Sequence, residues 1–120
     1  MTLMMTKKQF DKLLLRDNWQ CYHCGITDDT LVVQHRGNRG MGGFKAANNP
    51  ANLIVLCSAM NLKIESNAVY ANLALDYGWK ISKHADPLTE PVYSAVDGEW
   101  YLLTDDYQRV LHLKEKQAGA

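Results

Sequence analysis

No stretch of this 120-residue chain approaches the roughly 20 consecutive apolar residues that a membrane-crossing helix needs. There is also no excess of charge: 13 Lys and Arg offset 13 Asp and Glu, so overall charge makes no electrostatic case for a polyanionic partner. Cysteine is scarce and odd in number, at three. An odd count excludes a framework in which every cysteine is paired within the chain, and two of the three stand in Cys-x-x-Cys spacing, which favours metal or redox use in a reducing compartment. The apolar start, Met1-Thr2-Leu3-Met4-Met5, is too short for a secretory signal, and Lys7-Lys8 follow it rather than precede it. A cytoplasmic protein is the expectation. Internal repeats and strong linkers are lacking too, so residues 1–120 read as a single domain.

The chain holds 47% hydrophobic and 22% charged residues, which places it with globular rather than disordered sequences. Its charges are segregated. Residues 1–45 carry seven cations (Lys7, Lys8, Lys12, Arg16, Arg36, Arg39, Lys45) against four anions, whereas residues 86–106 carry six anions and no Lys or Arg. One face compatible with nucleic acid follows from that asymmetry; ordinary solvated surface is the plain alternative.

Thr6 with Gln9 three residues on predicts a capping box, and Phe10, Leu13 and Leu14 give a helix ending near Asp17 or Asn18. Residues 19–25 predict a tight knuckle. Thr30-Leu31-Val32-Val33 predicts a strand ending near His35, and Leu53 to Leu56 a second one. The Gly- and Asn-rich run from Gly37 to Pro50 predicts a long loop. Ser58 to Glu65 looks helical, and a further helix capped by Ser66 is expected to run to Tyr77 and stop at Gly78. Trp79-Lys80-Ile81-Ser82 alternates like a strand. Val92 to Leu103 predicts a β-hairpin turning at Asp97-Gly98. Residues 114–120 look like a frayed tail.

Cys21 and Cys24 form half of a zinc knuckle, because i, i+3 spacing lets two thiolates face one tetrahedral ion. The later half is Cys57 and Met60, and a neutral thioether is a poor zinc ligand. Three readings stay open: zinc on Cys21, Cys24 and Cys57 with a substitute such as His23; a metal-free cluster with Met60 packed over three thiols; or a redox pair.

His35, at a strand end, is a candidate general base, since imidazole is the side chain that exchanges protons near neutrality. Phosphodiester hydrolysis also needs charge stabilisation, usually by a divalent ion such as Mg²⁺ or Mn²⁺. Gln34 and Asn61 are the candidate ligands beside His35, both neutral oxygen donors. Asn52 is expected to orient the loop or the imidazole. Arg36, Arg39 and Gly40-Met41-Gly42-Gly43, with Lys45 beyond, form a basic loop suited to phosphate. Each has a plain alternative, a hydrogen-bonded histidine and a surface loop. Glu65 is a lesser candidate carboxylate, and Trp79, Trp100 and Tyr101 read as packing residues.

Taken in order, Cys21-x-x-Cys24, His35-Arg36-x-x-Arg39-Gly40-Met41-Gly42-Gly43, Asn52-Leu53-Ile54-Val55-Leu56-Cys57, Glu65-Ser66-Asn67 and Gly78-Trp79 resemble the HNH (ββα-metal) endonucleases, closest to small versions common in actinobacterial phages. The resemblance covers about half the chain. It implies an α+β fold: a treble-clef-like ββα-metal core at about 19–80, an N-terminal helix, and a C-terminal hairpin extension at about 81–113. It implies His35 as general base, Asn52 as the middle residue and Asn61 in the last position of a His-Asn-Asn signature. Gln34 and Asn61 would hold one divalent ion, and Met60 would replace the fourth cysteine of a structural zinc site. The activity implied is metal-dependent DNA cleavage, single-strand nicking included, in the bacterial host cell of a phage. The alternative is a degraded HNH scaffold that binds DNA or a protein without cutting.

Overall fold

A computed structural model describes residues 6–37 and 48–113. Among the described residues the chain forms a compact α+β fold with three α-helices and two small antiparallel sheets. Helix α1 (Lys7–Arg16) begins at Thr6, whose Oγ1 accepts from Gln9 N at 3.1 Å while Gln9 Oε1 accepts from Thr6 N at 3.0 Å. That reciprocal box satisfies two otherwise orphaned N–H groups. Leu13 and Leu14 are buried, and α1 packs on the first sheet. Asn18 and Trp19 take left-handed backbone and turn the chain into a knuckle closed by Gly25 N donating to Cys21 O at 2.9 Å.

Strand β1 (Leu31–His35) pairs antiparallel with β2 (Leu53–Cys57), Leu31 opposite Cys57 and His35 opposite Leu53. Every residue of β2 is buried, as its unbroken Leu-Ile-Val-Leu-Cys run requires. A 3₁₀ turn, Pro50–Asn52, leads into it. Helix α2 (Ser58–Ser66) follows β2 without a loop and buries Met60 and Ile64.

Helix α3 (Ala68–Tyr77) is capped by Asn67, whose Oδ1 accepts from Val69 N at 2.9 Å. The expected cap, Ser66, is instead the last residue of α2, with its hydroxyl donating back to Leu62 O at 2.8 Å. Asn67 has the extended backbone a cap needs. Gly78 ends α3 in left-handed conformation (φ 77°), as expected, and a Cβ there would lie 2.1 Å from Pro91 O. Backbone and sterics act together, so Gly78→Ala is expected to cost about 2–4 kcal/mol. A urea midpoint equal to that of the wild type would contradict this.

Residues 79–82 are not a strand. Their burial alternates, with Trp79 and Ile81 inside, but the one ladder-like bond is Ile81 N to Arg36 O at 2.8 Å. Period-2 patterning was satisfied by packing without a partner strand. The expected hairpin is real but larger: β3 (Val92–Ser94) pairs with β4 (Glu99–Leu103), Ser94 opposite Glu99, so four residues rather than two make the turn. Ala95 leaves the ladder because its N–H goes to Tyr22 O at 2.9 Å, tying this sheet to the knuckle. A third strand, β5 (Arg109–His112), pairs with β4. It was not expected from sequence, where a half-exposed Arg-Val-Leu-His run after an acidic turn carries little signal. Trp79, Tyr77, Tyr93 and Trp100 form one aromatic cluster, with Tyr77 stacked on Tyr93, and Trp79 is 1% exposed.

Candidate functional site

The knuckle and the start of α2 bring three thiols together. Cys21, Cys24 and Cys57 place their sulfur atoms within 4.8 Å of one another, close enough to hold a metal ion. Cys24 and Cys57 Sγ are 3.9 Å apart, and all three are free thiols. Two sulfurs already accept backbone N–H groups: Cys21 Sγ from His23 at 3.3 Å, and Cys57 Sγ, the cap of α2, from Met60 at 3.4 Å. Such donors favour the thiolate over the thiol. Opposing them, burial pushes the Cys21 thiol up to about 11, so an ion must displace its proton to bind.

Among the described residues no anionic or imidazole ligand completes a fourth tetrahedral corner. Met60, three residues after Cys57, is buried. His23, a candidate substitute, does not join the thiol group; its ring meets Trp79 edge-on with centroids 5.5 Å apart. Among the described residues no other histidine or carboxylate joins the thiols.

Strand β1 presents the second candidate centre at its end. Gln34 is 1% exposed and His35 is exposed, the alternation a strand imposes. His35 Nε2 is 2.8 Å from Asn48 Oδ1. An amide oxygen only accepts, so Nε2 carries a hydrogen in this contact, and in the neutral ring Nδ1 is the nitrogen with the lone pair. Asn48 therefore holds the imidazole, one of the two roles expected of Asn52, and Asn52 takes the other, on the loop. Asn52 is fully buried and grips Gly37 instead: its Oδ1 accepts from Gly37 N at 2.8 Å and its Nδ2 donates to Gly37 O at 3.1 Å. It orients the chain just after the histidine rather than the imidazole.

Gln34 and Asn61 are brought together across β1 and α2, Asn61 Nδ2 donating to Gln34 Oε1 at 2.7 Å. Gln34 Nε2 in turn donates to His35 O at 3.1 Å and Trp79 O at 3.3 Å. Two carbonyls thus fix which way Gln34 points, and Gln34 engages Asn61 through Nδ2, so Asn61 Oδ1 is the atom not used in that contact. Gln34, expected as a metal ligand, is buried, and its Oε1 accepts from Asn61. One neutral oxygen, Asn61 Oδ1, is too little to retain a hard divalent ion unaided, because such ions want several oxygens and favour carboxylates.

The expectation for Arg36 is corrected. It is 1% exposed and spends its guanidinium on five backbone carbonyls: Gly78 (2.7 Å), Ala51 (2.9 Å), Pro87 (3.1 Å), Glu90 (2.7 Å) and Pro91 (3.4 Å). Burial lowers its pKa to about 10, which leaves it charged at neutral pH. It cannot reach a phosphate. Arg16 is internal as well, joined to Asp17 at 2.7 Å, so two of the seven N-terminal cations add nothing to a basic face. Arg39, Lys45 and the Gly40–Gly43 run lie outside the described residues. Glu65 is exposed on the last turn of α2. Asn48 was missed in the sequence because Asn-Asn-Pro signals a turn and nothing more.

Neither a family model, nor a curated protein, nor a solved structure matches this chain.

Proposed function

We propose that this chain is an HNH-like DNA endonuclease, a nicking one included, in which His35 is the general base. The observation that carries the reading is the His35–Asn48 contact, because it leaves Nδ1 of an exposed imidazole free to take a proton. Support also comes from the order of elements, a two-stranded antiparallel sheet running straight into a helix, with His35 at the end of its first strand and Asn61 on the helix. In the reaction, Nδ1 accepts a proton from water as the water oxygen bonds phosphorus and the P–O bond to one sugar oxygen breaks, that oxygen taking a proton from solvent. The Nε2–H to Asn48 holds the ring in place and stabilises the imidazolium that forms. Gln34 engages Asn61 through Nδ2, a contact that does not use Asn61 Oδ1. A divalent ion accompanying the DNA phosphates would neutralise charge at the scissile group.

A second reading is favoured by one observation: Asn61 Nδ2 donates to Gln34 Oε1 where the resemblance implies a metal. On it, the chain is a degraded scaffold that binds DNA or a protein without cutting. Supercoiled plasmid incubated with Mg²⁺, Mn²⁺, Ni²⁺ and Zn²⁺, alongside a gel shift, separates the two. On the endonuclease reading nicking appears with at least one ion, and Gln34→Leu, which releases Asn61, raises the ion concentration needed by roughly 10- to 100-fold, the usual effect of losing an orienting partner. Retarded but intact DNA under every ion would transfer the conclusion to the scaffold.

A further inference from the structure

The three-thiol centre is built like a structural metal site but closed on only three sides. A tetrahedral divalent ion bound by Cys21, Cys24 and Cys57 has one corner left. All four histidines and all three cysteines of the chain are among the described residues, and none beyond these three joins the group. Met60 offers a neutral thioether, and His23 is held against Trp79. Cys24 is exposed, so solvent reaches the cluster from that side. Structural sites are closed, whereas sites with three protein ligands keep an exchangeable fourth position.

From this geometry we infer that the centre holds a divalent ion with an open fourth position that takes a small exogenous thiol. On binding, the thiol loses its proton to solvent, its sulfur bonds the ion, and the bond to water breaks. No oxidant or reductant is involved. The product is a four-thiolate ion, a stable arrangement for zinc. The inference stands whether or not the protein cuts DNA.

The test uses the full chain, reduced and oxygen-free, loaded with Co²⁺ as a spectroscopic probe. One tetrahedral Co²⁺ per chain is expected, with visible bands that shift when 2-mercaptoethanol is added. Apparent Co²⁺ affinity should rise roughly tenfold at a thiol concentration ten times its dissociation constant, by mass action. Met60→Cys supplies the fourth thiolate from within, so its spectrum should match the thiol-saturated wild type and ignore added thiol. X-ray absorption on the zinc-loaded wild type gives a reading independent of that variant: three sulfur neighbours and one oxygen are expected without thiol, four sulfurs with it. Four sulfurs in the absence of thiol, bands that do not respond to thiol, or no stoichiometric binding of either ion would each overturn the inference.

Discussion

Replacing Arg36 with methionine is expected to remove about 3–5 kcal/mol of stability, the scale seen when one side of a buried charged arrangement is deleted. The reason lies in what the guanidinium touches. Its donors reach carbonyls in the 3₁₀ turn, at the C-terminal cap of α3 and in the 87–91 turn, while its own carbonyl accepts from Ile81. Methionine fills comparable volume, so the cavity term is small and the loss is chiefly that of charge-assisted hydrogen bonds, each worth about 1.5–3 kcal/mol but far from additive. A small domain has about 5–15 kcal/mol in total, so the variant should melt much earlier or fold incompletely. Arg36→Lys should fare little better, because one ammonium cannot serve five acceptors set around a planar fork. Urea denaturation of both variants checks this. A midpoint for Arg36→Met close to wild type would show that the five carbonyls find water instead.

Loss of the base should be as large in rate as loss of Arg36 is in stability. His35→Ala is expected to lower plasmid nicking by roughly 10²–10⁴-fold, the usual contribution of a positioned general base. His35 is exposed and, among the described residues, its side chain hydrogen-bonds only Asn48, so the melting curve should stay within about 0.5 kcal/mol of wild type. The pairing of a large rate loss with an unchanged melt separates a catalytic role from a structural one. Asn48→Ala should fall between, at roughly 10- to 100-fold, since it frees the tautomer without removing the base. Equal residual nicking by wild type and His35→Ala at every ion would attribute the activity to a contaminant and leave the scaffold reading.

The sequence determined the features that depend on neighbours along the chain. The Thr6–Gln9 box, the glycine stop at residue 78 and the all-apolar run of β2 are set by contacts three or four residues apart or by residue type alone. The i, i+3 spacing likewise put Cys21 beside Cys24, and Cys57 beside Met60. That the two halves meet, with sulfurs 3.9 Å apart across 33 residues, was settled by the knuckle docking on β2, where Tyr22 N donates to Val55 O at 3.2 Å. Polar roles were the least legible. Arg36 sits in a basic, glycine-rich stretch that reads as phosphate-binding, yet its partners are carbonyls from residues 51–91, and nothing in its own neighbourhood announces them. Gln34 reads as a ligand beside a base, but Trp79 O and Asn61 claim its amide from distant segments. Hydrogen-bonding side chains take whatever partner the fold brings within 3 Å. Apolar patterning fixes which way a segment faces, whereas only the assembled structure decides which donor meets which acceptor.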